Sequence, residues 1–368
     1  MDKIILGTAI AFFITFTAIP IIIQVANMKK LFDVPDERKI HILPVPSLGG
    51  LGMFAGFILA LLLAIPFAEA PEFQYFAAAA LVIFFLGLKD DILILTPLKK
   101  FIGQLAAAFL VIQKGNIVLY SMHGFMGVYV IPEMLGLAFS YLTVVVIVNS
   151  FNLIDGVDGL AASLGLFTSL SFGTFFYLIG DIEYAVLSYC MSGSIVAFLI
   201  FNYAPARIFM GDTGSLLIGL VNAILVIRFI NSAAAPSGVF PIGTSPAVGF
   251  AILIVPLFDT LRVFAIRMLR RRSPFSPDRN HIHHLLMDHG CSHARITYLC
   301  LGLNVTIALI VFLLKDSWNT TGLILTQIMV MLLITGYLWF NRKKKPLLYK
   351  IDTKINVIDD AASGMIEP

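Results

Sequence analysis

The stretch Asn149-Ser-Phe-Asn-Leu-Ile-Asp-Gly-Val-Asp-Gly159 sets Asn152, Asp155 and Asp158 at three-residue intervals. On a helical turn that spacing puts the three side chains on one face, and Gly156 and Gly159 let a ligand come close to the backbone. Carboxylates and amides so spaced hold a ribose or a base by hydrogen bonds, or a hard cation by oxygen ligands. A helix cap would account for one aspartate but hardly for the set, and the run lacks the full ligand pattern and terminal Glu of an EF-hand. A second string, Phe209-Met-Gly-Asp-Thr-Gly-Ser215, allows a tight loop whose N–H groups can face phosphate, with Asp212 as a hard oxygen ligand at a helix start. The same residues also read as plain N-caps, through Asp212, Thr213 or Ser215. No Lys-Ser or Lys-Thr follows the glycines, so this is not a Walker loop.

Lys89-Asp90-Asp91 ends an apolar run, and Lys99 and Lys100 open the next. Two adjacent carboxylates repel; a divalent cation, a phosphate-bound metal or a neighbouring lysine would relieve them, unless the pair is merely solvated beside snorkelling lysines. Further on, Arg267, Arg270, Arg271 and Arg272 precede Ser273-Pro-Phe-Ser-Pro-Asp-Arg-Asn-His-Ile-His-His284. Arginines followed by Arg279, His281, His283 and His284 suit a diphosphate or a lipid phosphate. Topogenic charge is the plain alternative for the arginines, and zinc would need a further ligand. The Arg38-Lys39-Ile-His41 segment either marks the basic side of the membrane or covers a phosphate. Asp259 and Arg262, spaced i, i+3 inside an apolar run, read as a structural ion pair.

These groups must be positioned by membrane helices. Hydrophobic residues make up 59% of the 368 and charged residues 13%, with mean hydropathy +0.93, so one aqueous core could not bury the apolar surface. Apolar runs long enough to cross or nearly cross a bilayer fall near 4–25, 48–67, 73–88, 101–113, 134–149, 159–179, 184–201, 215–231, 247–266, 296–314 and 321–340. The reading is an all-α polytopic bundle of about eleven transmembrane helices, with residues 1–345 as one membrane domain and 346–368 as a short tail. Alternate loops carry 20 Lys and Arg against 3 on the other side, which assigns the basic side to the cytoplasm, the N-terminus outside and the C-terminus inside. The carboxylates, amides and imidazoles singled out above then share the cytoplasmic face. A transporter would sooner hold such groups at midplane on broken helices. Cys190, Cys291 and Cys300 show no metal or disulfide spacing and read as small hydrophobes.

Lys89-Asp90-Asp91, Asn149 to Gly159, Phe209 to Ser215 and Ser273 to His284, in that order between these runs, resemble the polyprenyl-phosphate N-acetylhexosamine-1-phosphate transferases, the MraY/WecA/TagO superfamily. The resemblance covers nearly the whole chain. The Arg38-Lys39-Ile-His41 and His-Ile-His-His strings are closer to the WecA/TagO branch, which lowers the case for a muramoyl-pentapeptide substrate. What it implies is a bacterial inner-membrane enzyme that moves a sugar-1-phosphate, chiefly GlcNAc-1-phosphate, from a UDP-sugar to undecaprenyl phosphate and releases UMP. The implied cofactor is Mg²⁺, with Mn²⁺ as a substitute; the implied partners are the UDP-sugar, the lipid phosphate and the membrane, with no nucleic acid and with a homodimer left open. By motif match Asp212 is the leading metal ligand with Asn152 assisting, and Asp155 and Asp158 hold the nucleotide with Phe209 as a stacking surface. Asp90 orients or deprotonates the lipid phosphate, Asp91 lies near the metal–diphosphate centre, and Lys100, His283 and His284 neutralise phosphate. His281, Arg279 and His41 complete the implied substrate contacts. Whether Asp90 assists one displacement or a carboxylate such as Asp212 forms a covalent intermediate stays open. Direct attack is favoured because a phosphate monoester, with a second pKa of about 6, is already largely ionised near neutral pH.

Overall fold

The computed structural model describes residues 1–29, 45–93, 95–233, 241–273 and 279–342. Among them the chain is almost wholly helical. In order come α1 (Asp2–Lys29), α2 (Gly49–Ala64), α3 (Glu72–Ile92) and α4 (Pro97–Phe109), which runs into a π-helical turn (Leu110–Lys114). A hairpin of β1 (Ser121–Phe125) and β2 (Val128–Val130) follows, pairing Ser121 with Val130 and Phe125 with Val128. Then come α5 (Glu133–Ile154), α6 (Leu160–Ile179), α7 (Ile182–Asn202), α8 (Gly211–Ala233), α9 (Ser245–Ile252), α10 (Ile254–Leu269), α11 (Ile282–Asp288), α12 (His293–Leu314) and α13 (Thr320–Phe340).

Every one of the eleven apolar runs lies largely on helix, and length and composition alone qualify some of these helices as spans. Seven described helices (α1, α5, α6, α7, α8, α12 and α13) are long and apolar enough to cross a bilayer, and eight spans result if α9 and α10 count as one. The helices over 48–67, 73–88 and 101–113 fall outside that set, α2 because it has only 16 residues. The sequence shows apolar length but not whether a run is continuous or straight.

The chain is a multi-pass membrane bundle built around α8. Its spanning window is 94% buried, against 28% for α1 and 22% for α13, so α8 meets protein on all sides while the outer helices face lipid. It packs against α2, α3, α5 and α6. The approach at its start needs glycine: a Cβ on Gly50 of α2 would stand 2.1 Å from the Gly214 nitrogen, and one on Gly87 of α3 would stand 2.5 Å from Thr213 Cα. Backbone cannot yield as a side chain can, and small residues at such crossings let helices meet closely.

The α9–α10 pair bends by 86° at Leu253. A break inside a bundle frees backbone groups that water cannot reach, and each must find a partner. Asn304 of α12, fully buried, supplies both: its amide nitrogen donates to Ile252 O (2.8 Å) and its oxygen accepts from Val255 N–H (3.0 Å). At the end of the bundle remote from the start of α8, Asn231 donates to Val118 O (2.7 Å). Thr320 Oγ1 donates to His123 O and Met126 N–H donates to Thr321 Oγ1, both at 2.7 Å, so α13 is tied to the hairpin there.

Candidate active site at the start of the central helix

The start of α8 is fixed by two neighbours. The 45–50 stretch lies alongside it, with Phe209 N–H donating to Pro46 O (2.8 Å), Gly49 N–H to Phe209 O (2.9 Å) and Gly50 N–H to Met210 O (2.8 Å). The first-turn donors end on Asp91 of α3: Asp212 N–H at 2.7 Å, Thr213 N–H at 3.1 Å and the Thr213 hydroxyl at 2.6 Å. The cap thus comes from another helix and not from Asp212, Thr213 or Ser215, as the plain reading of the string would have it; Ser215 Oγ instead donates back to Gly211 O (3.0 Å). A carboxylate at a helix N-terminus meets unpaired N–H groups and the positive end of the dipole.

With its own N–H capped, the Asp212 side chain turns to Lys100. The ammonium of Lys100 lies 2.5 Å from Asp212 Oδ2 and 2.6 Å from Asp90 Oδ2, and the other Asp90 oxygen accepts Leu95 N–H at 2.6 Å. Asn152 donates to Ser215 Oγ (3.1 Å) and is also hydrogen-bonded to Asp212. Below it, Gln104 and Asn149 form a reciprocal amide pair (2.7 and 3.3 Å) that joins α4 to α5.

Asn152, Asp155 and Asp158 do not share one helical face. The helix ends at Ile154, and the chain turns through Gly156 to Gly159, whose φ of 74° stops any helical continuation. The three-residue spacing therefore sends the two aspartates different ways. Asp155 faces the centre: burial, then the charges of Asp212, Asp91 and Asp158, push its carboxyl up to about 8. Asp158 is turned into the frame, with Oδ1 3.0 Å from His293 Nδ1, Oδ2 accepting Ala206 N–H (3.1 Å) and its carbonyl accepting Thr297 Oγ1 (2.9 Å). His293 was not singled out from the sequence, because no spacing links it to a partner 135 residues away. Phe209 is half-buried beside these loops.

The histidine string is anchored from α10. Asp259, fully buried, takes Arg262 Nη2 (2.8 Å) and Ile282 N–H (2.9 Å) on one oxygen and His281 Nδ1 (2.8 Å) on the other. The expected Asp259–Arg262 pair is present, but its larger part is to cap α11, which nothing in the spacing announces. His283 stacks over the Asp155–Gly156 turn so closely that a Cβ on Gly156 would stand 2.7 Å from its Nε2. Burial, then His284, pushes the His283 imidazole down to about 3; burial, then exposed Arg279, pushes that of His284 down to about 4. Both are neutral at physiological pH, and the Nδ1 atom of each is buried without a hydrogen-bond partner. Orphaned buried nitrogens beside a carboxylate cluster suit a ligand that brings its own acceptors. His41 lies outside the described residues.

Among the described residues no three His, Cys, Asp or Glu side chains are arranged as a complete metal cage. Magnesium seldom uses one: it takes one or two carboxylates together with substrate phosphates and water. Asp212, with the carboxylates of Asp90, Asp91 and Asp155 around it, fits that need, whereas Asn152 as placed meets Asp212 as a hydrogen-bond donor. The arrangement offers hard oxygens for a cation, one ammonium between two carboxylates, and uncommitted imidazoles for an anion.

Comparison with known proteins agrees with this chemistry. A family model described as "Glycosyl transferase family 4" matches residues 73–230, a stretch that contains Asp90, Asp91, Lys100, Asn152, Asp155, Asp158 and Asp212. The chain is 35% identical over 311 residues to "Decaprenyl-phosphate N-acetylglucosaminephosphotransferase" of Mycobacterium leprae (strain TN), covering 78% of this chain and 77% of that protein. It is 32% identical over 362 residues to "Probable undecaprenyl-phosphate N-acetylglucosaminyl 1-phosphate transferase" of Bacillus subtilis (strain 168), covering 94% and 96%. It is 30% identical over 272 residues to "Undecaprenyl-phosphate alpha-N-acetylglucosaminyl 1-phosphate transferase" of Yersinia pestis, covering 73% and 72%. With its motif strings gathered round the start of α8 and relatives this similar over most of their length, the chain belongs to the polyprenyl-phosphate N-acetylhexosamine-1-phosphate transferase superfamily, glycosyl transferase family 4.

Proposed function

We propose that the protein transfers N-acetylglucosamine-1-phosphate from UDP-N-acetylglucosamine to undecaprenyl phosphate at the cytoplasmic face of a bacterial inner membrane. An oxygen of the acceptor phosphate attacks the β-phosphorus of the nucleotide sugar, a new diphosphate bond forms, the bond to the α-phosphate breaks, and UMP leaves. The observation that carries this reading is the convergence of Asp90, Lys100, Asp212 and Asp155, with His283 set over the Asp155–Gly156 turn and its Nδ1 without a hydrogen-bond partner.

Phosphoryl transfer among several negative charges is governed by neutralisation and in-line placement. A Mg²⁺ ion held by Asp212, when bound, would supply Lewis-acid stabilisation of the diphosphate. Lys100, between Asp90 and Asp212, is placed to neutralise a phosphate oxygen and to align the two carboxylates. Asp90, at the membrane-boundary end of α3, orients the acceptor phosphate. Asp155 and Phe209 face the nucleotide side, while Asp158 acts by holding the turn that carries Asp155. His283, buried, and His284, half-buried, both neutral, give hydrogen bonds to the diphosphate, and Arg279 lies at the exposed rim.

The orientation that fits a cytosolic nucleotide sugar puts the start of α8 inside, the N-terminus outside and the C-terminus inside, as the 20-to-3 split of basic residues has it. The deciding assay uses purified protein, undecaprenyl phosphate, Mg²⁺ and a panel of UDP-N-acetylhexosamines, scored for UMP release. Lipid-dependent release with UDP-N-acetylglucosamine is the expected result. Release without lipid, or from no member of the panel, would refute the assignment.

A further inference from the structure

His281 has both ring nitrogens engaged inside the protein. Nδ1 lies 2.8 Å from Asp259 Oδ2, and Nε2 lies 3.4 Å from an Nη of Arg267. All three side chains are buried, with 1% exposure for Asp259, 4% for His281 and 3% for Arg267. A carboxylate only accepts and a guanidinium only donates, so the proton sits on Nδ1 and the lone pair on Nε2. Neither nitrogen is left for a substrate oxygen. The other Asp259 oxygen accepts the N–H of Ile282, the first residue of α11, and Arg262, bound to the same oxygen, donates to Asn280 O at 2.5 Å. One carboxylate therefore fixes the ring, the entry and the first turn of the helix that presents His283 and His284.

We infer that Asp259, with Arg267, is a positioning residue for the transfer reaction: it locks His281 as a Nδ1–H tautomer and thereby aims His283 and His284, while His281 itself makes no substrate contact. This replaces the substrate-contact role that the motif resemblance implies for His281. The inference rests on the proposed role of His283 and His284 toward the diphosphate. Partners of this kind, one step removed from the reacting groups, are worth about 10–100-fold in activity where they have been measured at metal sites.

The test reads tautomer and turnover separately. Solid-state ¹⁵N spectra of histidine-labelled protein in lipid, with His281 assigned by the resonance missing from His281→Asn, are expected to show Nδ1 protonated and Nε2 bare. Asp259→Asn presents an amide N–H to the ring and is expected to move the proton to Nε2. With it, kcat should fall by about 10–100-fold, while KM for the nucleotide sugar stays within about twofold because the Asp155 turn is untouched. Arg267→Gln leaves the Asp259 acceptor on Nδ1 in place and should keep the proton there. Wild-type His281 protonated on Nε2, or Asp259→Asn with unaltered kcat, overturns the inference. Should Asp259→Asn fail to fold, as judged by its melting transition in detergent, the spectra of wild type and Arg267→Gln decide alone, with loss of the Nδ1 proton in either counting against it. The spectra do not depend on the reaction assigned to the protein, so an inactive wild type would refute the transferase reading and leave the tautomer result standing.

Discussion

Three donors of the α8 first turn converge on the carboxylate of Asp91, and the side chain that this frees, Asp212, is the one that faces Lys100. Asp91→Ala should therefore cost about 1–2 kcal/mol of stability, the usual range for a lost cap, and should lower turnover by letting Asp212 drift. Melting in detergent together with UMP release checks both; a variant as stable and as active as wild type would show that the cap does not matter. The ionisable groups give a pH test. Asp155 keeps its proton up to about pH 8 in the folded protein, against an ordinary value of 3.8, so between those limits the folded state holds the extra proton and stability falls as pH rises. His283 acts oppositely: held at about 3 against an ordinary 6.5, it makes stability rise with pH across that window and adds no slope above it. From pH 6.5 to 8, without divalent cation, the wild-type melting temperature should fall more steeply than that of Asp155→Asn. Parallel curves would mean that Asp155 ionises as an ordinary carboxylate. Asp90, Asp91, Asp155 and Asp212 were legible as candidates because acidic groups at helix ends stand out in so apolar a chain. The division of labour among them was not, since what Asp91 and Asp158 do is set by partners more than a hundred residues away.

At the scale of elements, the 86° bend at Leu253 turns what the sequence presents as one apolar run into two helices, and only the second carries Asp259 to the histidine string. Asn304 is what makes the bend affordable in a bundle interior. Asn304→Leu leaves the Ile252 carbonyl and the Val255 N–H without partners, at about 1–3 kcal/mol for each orphaned group. A drop of that size in stability, accompanied by loss of turnover, is expected, and thermal unfolding with activity measured on the surviving fold checks it. An unchanged melt would mean that the break satisfies itself. Hydropathy could locate the run over 247–266 but not its corner, because the cue is a polar residue on a different helix. The same limit applies to Asn152, Asp155 and Asp158, where spacing suggested a continued helix and the two following glycines ended it.

The molecule as a whole was legible as a membrane bundle from composition, and the helix over each apolar run bears that out, with seven or eight spans among the described residues meeting the length and composition that a crossing needs. Orientation is open to direct measurement: reporter fusions after Lys345 should behave as cytoplasmic and fusions within 232–246 as external, and reversal of either would put the site on the wrong side for a nucleotide sugar. The clamp between Asp158 and His293 bears on biosynthesis. The two residues are 135 positions apart, so at about 5–20 residues per second a ribosome needs on the order of ten seconds to deliver the second after the first. Throughout that interval the turn bearing Asp155 has no His293 to rest on, and α11 with its imidazoles has only just been made. The turn that carries Asp155 is thus completed only when α12 begins to emerge, so the last part of the site to be held in place is one of the first parts to be made.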